Sequence, residues 1–253
     1  MDVKSAGRTM ELFEAFAKTQ TPLSLSEIAR ALGAPASSCF NLIRALEGRG
    51  YLYLAEPKRL YPTHRLYEVA RIIAAREPWI DLLEPVLTDL RDETRETVIL
   101  GKRQGNRVIY LEVFEGPQTI RYSARSGDLK PLHSSSIGKA LLGTLEPSDL
   151  DKLLKSLPLK QVTKATITNR QKLIADLERS RQRGFFMTVG ENVADVTAVA
   201  AGLRLNFELY GIAIAGPMSR MREKLSVHIS ALKVACASIA GLSRERAVAN
   251  RTE

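Results

Sequence analysis

The sequence is poor in the side chains that build metal centres, disulfide frameworks and nucleophilic active sites. It contains two cysteines, three histidines and one tryptophan, and no two histidines have the spacing of a metal-binding pair. Cys39 and Cys236 lie far apart, which excludes a disulfide framework and suits a reducing compartment. No serine stands in a nucleophile elbow, and no glycine-rich phosphate loop is present. We therefore expect no metal, no cofactor and no enzymatic activity.

Apolar runs of membrane-spanning length and the core of a signal peptide are also missing. A spanning helix needs about 20 mostly apolar residues, and the polar N-terminus has no stretch typical of a signal peptide. These absences predict a cytoplasmic protein without a membrane partner. The net charge of +9 suits a polyanionic partner, but the basic residues are spread along the chain, so charge supports nucleic-acid binding only weakly.

The segment from Ser24 to Tyr61 is the most informative part of the chain. Ser24 and Glu27 have the spacing of a capping box, which begins a helix. Apolar residues then recur at helical spacing: Leu25, Ile28, Ala29 and Leu32. Gly33-Ala34-Pro35 predicts a short turn, with Pro35 in the first turn of a second helix.

The second helix is predicted to bury Leu42, Ile43 and Leu46 and to end at Gly50. Two short strands, Tyr51 to Leu54 and Leu60 to Pro62, follow it. The residues between them, Glu56-Pro57-Lys58-Arg59, predict a basic hairpin tip. A helix-turn-helix followed by a basic wing is typical of a DNA-binding domain.

Polar and basic residues lie off the buried face of the second helix. Asn41 can bond bidentately to adenine and Arg44 to guanine, whereas serines near the helix start suit phosphate or base contacts. Phe40 either contacts thymine methyl groups or packs inside the wing. The predicted DNA-binding residues are Arg8, Ser26, Ser37, Ser38, Phe40, Asn41, Arg44, Lys58 and Arg59. The alternative is an ordinary helix pair with solvated polar residues, which the capping box, short turn and basic hairpin together disfavour.

The chain is too long for a winged helix alone, so a second domain must follow. We predict a winged helix-turn-helix domain over residues 1–62, a linker helix over 63–77 and a second domain over 78–253. Thr63 is expected to cap the linker helix, from His64 to Arg76. Its apolar stripe suits packing against a second copy of the chain: Leu66, Val69, Ala70 and Ile73.

The second domain alternates short strands and helices. The predicted strands are Thr97–Leu100, Val108–Phe114, Thr119–Arg125, Phe185–Val189, Thr197–Leu203 and Leu209–Ala215. The predicted helices are Ile80–Thr94, Ser134–Leu142, Ser148–Leu154, one from a Thr168/Gln171 capping box to Gly184, and one from Leu225 to Ile239. Hairpins with helices on one side predict an α+β fold with an antiparallel sheet.

Several blocks, in this order, resemble the IclR family of transcriptional regulators. They are Arg8 with the apolar helix after it, Leu23 to Gly33, Leu42 to Leu52, ETVILG, VIYLEVFEG, PLHSSSIGKALL, RQRGFF and IAIAGPMSR. The resemblance covers nearly the whole chain. It implies an N-terminal winged helix, a linker helix and a C-terminal GAF/profilin-like effector domain. It also implies a homodimer, often a dimer of dimers, whose affinity for DNA responds to a small organic acid.

A two-fold dimer would read a pseudo-palindromic operator in double-stranded DNA. The operator sequence does not carry over from relatives, because their recognition helix often reads Lys-Ser-Thr-Val-His-Arg. Here the six positions from Ala36 to Asn41 read Ala-Ser-Ser-Cys-Phe-Asn.

The resemblance also implies that Leu132 to Ile137 line the effector pocket. Backbone amides at a helix N-terminus bind carboxylates well, although these serines can also be an N-cap and nothing more. Positions that are polar in glyoxylate- or pyruvate-type relatives are Thr188, Ala198, Ala213 and Ala215 here, which favours an aromatic or extended acid. The predicted effector-binding residues are Arg121, Ser134, Ser135, Ser136, Ile137, Thr188, Thr197, Ala198, Ala213 and Ala215.

Two further features of the second domain keep two interpretations each. Arg121 and Arg125, on or just after a predicted strand, are carboxylate partners or solvated surface residues. Residues 191–195 form a loop over the pocket or a solvated connection.

Two other functions are also possible: a constitutive DNA-binding dimer with a non-sensing second domain, and a metabolite-processing enzyme with an appended winged helix. The sequence leaves open whether the protein represses or activates.

Overall fold

The computed structural model describes residues 4–75, 78–205 and 208–249, with side-chain surroundings left out at 78–81 and 243–249. The chain divides into two compact units, Met1–Pro78 and Trp79–Glu253. The first unit contains helices α1 (Lys4–Thr19), α2 (Leu25–Ala31) and α3 (Ala36–Gly48), strands β1 (Leu52–Ala55) and β2 (Arg59–Pro62), and helix α4 (Arg65–Ala74).

The capping box at the start of α2 is confirmed. The Ser24 backbone N donates to Glu27 Oε2 at 2.8 Å, and the Glu27 backbone N donates to Ser24 Oγ at 3.4 Å. Pro35 precedes α3 as its N-cap residue, so the prediction that it lies in the first turn is wrong by one position. Arg49 is the C-cap of α3, and Gly50 follows with a φ of +73°, the left-handed conformation in which glycine is least strained.

One apolar core holds α1, α2, α3 and the hairpin together. Its buried residues are Leu12, Phe16, Leu23, Ile28, Cys39, Ile43, Leu46, Leu52 and Leu60. Leu23 and Leu60 also exchange backbone hydrogen bonds, with N–O distances of 3.0 and 2.8 Å. The hairpin is therefore bonded to the segment before α2, and the outer face of α3 is held in a defined orientation to both.

Helix α4 begins at Arg65, with His64 at the N-cap position and no side-chain cap. The predicted cap residue, Thr63, accepts a bond from the Arg65 backbone N at 3.3 Å and donates to the Gly50 carbonyl oxygen. The predicted end of the helix, Arg76, lies outside the described residues. Within Arg65–Ala74 no residue is buried, and Val69 and Ile73 are 38% and 65% exposed.

The second unit is built on one antiparallel sheet. Its strands are β3 (Thr97–Gln104), β4 (Arg107–Phe114), β5 (Leu129–Pro131), β6 (Phe186–Val189), β7 (Val196–Leu205) and β8 (Glu208–Pro217), in the spatial order β5-β4-β3-β8-β7-β6. Its helices are α5 (Pro78–Thr94), α6 (Ser136–Gly143), α7 (Pro147–Ser156), α8 (Arg170–Arg183), α9 (Met218–Glu223) and α10 (Leu225–Ala249). The short helix α9 has no counterpart among the predicted elements.

Helices cover both faces of this sheet, so the prediction of helices on one side is wrong. Side chains alternate along β3: Ile99 packs in a core with α6, α7 and α8, while Val98 and Leu100 pack in a second core with α5, α9 and α10. The α+β class and the antiparallel sheet agree with the prediction.

The predicted strand Thr119–Arg125 is wrong. Thr119–Arg125 is irregular chain, and the edge strand is the shorter Leu129–Pro131. Side chains, instead of a neighbouring strand, bond to backbone carbonyls of the irregular segment. Thr97 Oγ1 donates to the Tyr122 carbonyl oxygen, and Arg220 Nη2 donates to that of Ile120 at 2.9 Å.

The long helix α8 is capped by Asn169 instead of Thr168. Asn169 Oδ1 accepts from the Lys172 backbone N at 3.0 Å, and asparagine is among the most favourable residues at this position. The predicted end of α8 is confirmed, because Gly184 is its C-cap with a φ of +77°.

Helix α10 contradicts the expectation that no segment is long and apolar enough to cross a membrane. Its 18-residue window Leu225–Leu242 passes that test by length and composition, with 28% of the window buried. One side of the helix packs on the sheet through Ala231, Leu232, Ala235 and Ile239. The window also contains His228 and Lys233.

Candidate functional site

The outer face of α3 is the first candidate site. Because α3 buries Cys39, Ile43 and Leu46, the opposite side of the helix faces solvent. The exposed residues on it are Ser37, Phe40, Asn41 and Arg44. Phe40 is 51% exposed, so the alternative in which it packs inside the wing is wrong.

Arg8 and Ser38 are brought together between α1 and α3. Arg8 Nη1 donates to Ser38 Oγ at 3.0 Å, and Ser38 is half-buried. This contact ties the start of α3 to α1, so that Ser38 has a partner within the unit. On α2, Ser26 is exposed, and its hydroxyl lies 3.1 Å from that of Ser24.

The two basic residues of the predicted hairpin tip have different surroundings. Lys58 is exposed at the tip, whereas Arg59 is the first residue of β2. Arg59 Nη1 lies 3.0 Å from Glu27 Oε2 and donates to the Pro22 carbonyl oxygen at 2.8 Å. Hydrogen bonds from Ser24, together with Arg59, lower the pKa of Glu27 below its ordinary value. Arg59 therefore holds the wing to α2 and is not part of the tip.

In the second unit, α6 packs unusually close to the sheet. A Cβ on Gly211 of β8 would lie 2.7 Å from Ile137 Cγ2, and one on Gly202 of β7 would lie 2.4 Å from Thr144 Oγ1. Glycines at these points allow the helix backbone to approach the strands. The next inward-facing strand positions are alanines, and a pocket lies between them and the first turn of α6.

The pocket gathers residues from distant parts of the sequence. It is lined by Ile99, Tyr110, Tyr122, Ser135, Ser136, Thr188, Asn192, Val193, Val196, Ala198, Ala213 and Ala215. Six of the residues singled out from the sequence lie together here: Ser135, Ser136, Thr188, Ala198, Ala213 and Ala215. Strand pairing explains their proximity, because Ala198 is opposite both Thr188 and Ala215 in the sheet.

Four predicted effector residues are not in this lining. Thr197 points to the other face of the sheet, because it neighbours Ala198 on a strand. Ile137 packs on Gly211, and Ser134 Oγ is buried with no partner among the described residues. Arg121 Nη2 pairs with Glu115 Oε2 at 2.8 Å in the irregular segment, so the structure does not bring Arg121 to this lining.

The start of α6 has two amides without an acceptor in their own helix, and Ser135 and Ser136 line the pocket. Ser135 is the N-cap: its Oγ accepts from the Gly138 backbone N at 3.2 Å and donates to the Pro131 carbonyl oxygen at 2.9 Å. The amides of Ser136 and Ile137 are the first two of the helix, and such amides have no acceptor within their own helix. The helix start therefore presents donors and a partial positive charge.

Sequence reasoning missed the two tyrosines of the pocket. Burial, and then the neighbouring Tyr122 hydroxyl, raise the pKa of Tyr110 far above its ordinary value, so this phenol stays neutral and able to donate. The Tyr122 backbone is held by Thr97, whose Oγ1 donates to its carbonyl oxygen, and Arg220, paired with Glu96 (Nε–Oε1, 2.6 Å), bonds to the nearby Ile120 carbonyl. Tyr110 lies two residues after the buried Val108 on β4, so both side chains face the same side of the sheet. This spacing predicts an inward side chain but does not distinguish a core residue from a pocket residue.

The pocket is small and has an apolar floor. Its volume is about 20 Å³, room for about one water molecule. Ala198, Ala213 and Ala215 form the floor, while Asn192 and Val193 approach from the loop over residues 190–195. That loop therefore lies at the pocket, and a ligand larger than water requires a local movement of its lining.

Profiles of one protein family match both units. The family described as the IclR helix-turn-helix domain matches residues 5–55, and the one described as the bacterial transcriptional regulator IclR C-terminal matches residues 74–240. The HTH-type transcriptional regulator KipR of Bacillus subtilis is 29% identical over 224 residues, which are 87% of this chain and 88% of KipR.

Two solved structures share the fold. The crystal structure of the Thermotoga maritima IclR has a TM-score of 0.78 and 27% sequence identity, over 96% of this chain and 99% of that one. An IclR homolog from Microbacterium hydrocarbonoxydans, complexed with 4-hydroxybenzoate, has a TM-score of 0.73 and 21% identity, over 95% of this chain and 99% of that one.

Proposed function

This chain belongs to the IclR family, as a DNA-binding transcriptional regulator and not an enzyme, and we propose that an organic acid bound in its second unit controls its affinity for an operator. The observation that supports the proposal is the pocket at the start of α6, where Ser135 and Ser136 stand beside an alanine floor. The regulator would act in the cytoplasm on a catabolic operon for such acids.

The proposed operator-reading surface is the exposed face of α3. Asn41 and Arg44 are the candidates for bidentate contacts to adenine and guanine, and Phe40 is the candidate for thymine methyl groups. Ser26 and Ser37 are exposed donors suited to phosphates, and Lys58 at the wing tip adds a charge contact to the backbone. Arg8, Ser38 and Arg59 are instead proposed to hold the unit together, because each is half-buried and has a partner inside the unit.

Two copies of the chain are proposed to read a pseudo-palindromic operator. The proposed dimer contact is the apolar side of α4, where Leu66, Val69 and Ile73 are not buried within the unit. Covering such a stripe stabilises a dimer by about 25 cal/mol for each Å² of apolar surface removed from water. A dimer of dimers through the second unit remains part of the proposal.

The proposed effector is an aromatic or otherwise extended carboxylate. Its carboxylate oxygens would accept bonds from the amides of Ser136 and Ile137, and its body would lie on the alanine floor. A two- or three-carbon keto acid would leave its other oxygens unpaired there, at about 1–3 kcal/mol for each buried group. The structural relative crystallised with 4-hydroxybenzoate supports an acid of this class.

The test is a paired measurement on the full chain. Thermal shift is recorded with benzoate, 4-hydroxybenzoate, glyoxylate and pyruvate, and the anisotropy of labelled DNA from beside its own gene is titrated with each acid. We expect the aromatic acids to stabilise the protein and to change its affinity for DNA. Stabilisation by the small keto acids alone contradicts the proposed acid class, and DNA affinity that no acid changes favours a constitutive binder.

A further inference from the structure

Lys139 of α6 is fully buried, yet it is not among the residues that line the candidate pocket and has no part in the proposed contacts to the acid. Its side chain is 0% exposed. Its Nζ lies 2.8 Å from Asp176 Oδ2 on α8 and 2.6 Å from Glu191 Oε1 in the loop after β6. Lysine is almost never fully buried unless it is paired, because removing its charge from water is costly. The contact with the two carboxylates is therefore what permits this burial.

The position of Lys139 links the helix start to the loop over the pocket. Lys139 follows Ser136 by three residues, so the two lie on the same face of α6. Glu191 immediately precedes Asn192 and Val193, which line the pocket. One ion pair thus joins the helix turn that presents the free amides to the loop opposite them.

In the loop over residues 190–195, different groups hold the backbone and the side chain of Glu191. Thr163 Oγ1 donates to the Gly190 carbonyl oxygen at 2.6 Å, and Thr166 Oγ1 donates to that of Glu191 at 2.7 Å. The Glu191 carboxylate bonds to Lys139 through Oε1, and its Oε2 is buried with no partner among the described residues. Lys139 is the charged partner of this carboxylate, which also accepts a hydrogen bond from the Ile167 backbone.

The size of the pocket requires this loop or its neighbours to move. A volume of about 20 Å³ is far below the roughly 300–1,000 Å³ of a typical ligand pocket. Val193 is 41% exposed and belongs to the loop, whereas the floor alanines and the first turn of α6 are buried. The exposed loop is the part of the lining that can open with the smallest loss of packing.

We propose that Lys139 is a positioning residue for the effector pocket, whose ion pair with Glu191 holds the loop of residues 190–195 closed over a bound acid. This inference rests on the proposed effector function. Closure limits escape, so weakening the pair increases the rate at which the acid leaves. It does not change DNA binding in the absence of acid, because both residues lie in the second unit.

The first experiment compares Glu191→Gln with a matched control. Glutamine keeps the size of the side chain and removes its charge. The control is Glu208→Gln, because Lys102 Nζ and Glu208 Oε1 are also 2.6 Å apart but Glu208 does not line the pocket. With 4-hydroxybenzoate as the probe, we expect Glu191→Gln to raise the dissociation rate about tenfold or more. Glu208→Gln is expected to leave that rate unchanged.

The second experiment measures the loop without any acid. A nitroxide on Val193→Cys reports loop mobility by electron paramagnetic resonance. The native thiols do not compete at neutral pH, because Cys39 is 1% exposed and burial raises the pKa of Cys236 to about 11. We expect the label to become more mobile in the Glu191→Gln background and to keep its wild-type spectrum in the Glu208→Gln background.

The outcomes separate the two proposals. Wild-type dissociation and wild-type label mobility in Glu191→Gln overturn the role of Lys139. Failure of the wild type to bind any acid overturns the effector proposal instead, and the label spectra then decide whether Lys139 holds the loop. If Glu191→Gln does not fold, Lys139→Met/Glu191→Gln replaces it, since Asp176 keeps Arg179 as a neighbour at 3.7 Å. That double variant is expected to give the same mobile label.

Discussion

Substitution of Gly211 by alanine tests the close approach of α6 on which the pocket depends. The added Cβ would lie 2.7 Å from Ile137 Cγ2. Ile137 is β-branched, so its χ1 angle has little freedom in a helix, and the contact is relieved mainly by moving the helix. Overpacking of this kind costs about 1–3 kcal/mol. Because Ser136 precedes Ile137, the free amides at the pocket move with the helix.

The expected result is a lower melting temperature and a weaker response to the acid. For a unit of this size, 1 kcal/mol corresponds to about 2–4 °C, so the melting temperature of the second unit should fall by about 2–12 °C. Differential scanning calorimetry of the full chain measures this shift. Titration with 4-hydroxybenzoate should show weaker binding, whereas the affinity for DNA without acid should stay at the wild-type value.

The matched control is Gly241→Ala in α10, where a Cβ meets nothing within 4 Å. Alanine is the better helix former, so this variant should be more stable by roughly 0.4–1 kcal/mol. If Gly211→Ala melts at the wild-type temperature and binds the acid normally, the helix does not need this close approach and our account of the pocket geometry is wrong.

Four further variants address the other proposed contacts. Asn41→Ala should weaken specific DNA binding by roughly 1–3 kcal/mol at fixed salt; wild-type affinity would rule out our placement of the recognition surface. Lys58→Ala should weaken binding to all sequences and lower the salt slope by about 1, which a titration at several salt concentrations measures. Ile73→Glu should shift the chain toward monomer in light scattering at micromolar concentration, and an unchanged mass would exclude this side of α4 as the dimer contact. Ala213→Trp should fill the pocket and abolish the response to the acid, and a retained response would place the effector elsewhere.

Interactions between residues close in sequence were predicted well. The capping box of Ser24 and Glu27 and the C-cap at Gly184 each depend on a few neighbouring residues, so the pattern contains the whole cause. The helix of Thr168 and Gln171 shows the limit of this reasoning. Asn169, one position away, is a more favourable N-cap residue than threonine and takes that place.

Long-range competition decided the elements that were predicted wrongly. Thr119–Arg125 has the composition of a strand, but side chains from β3 and α9 satisfy its backbone, as the bonds from Thr97 and Arg220 show. Neither partner is near in the sequence. Arg59 likewise reads as part of a basic tip, and only the folded hairpin brings it to Glu27.

Periodicity, caps and turn residues act over a few positions, so the sequence was enough to predict the winged helix and the antiparallel α+β second unit, and its motif blocks carried the resemblance to the family. It also indicated the helix start and the alanines of the candidate pocket. The folded structure was needed to show that Tyr110 and Tyr122 line the pocket and that Arg121 does not. It was also needed to show that Lys139 is buried against Glu191, 52 residues away. The free energy of a buried charge depends on which groups surround it in space, and that arrangement exists only when the sheet and helices are packed.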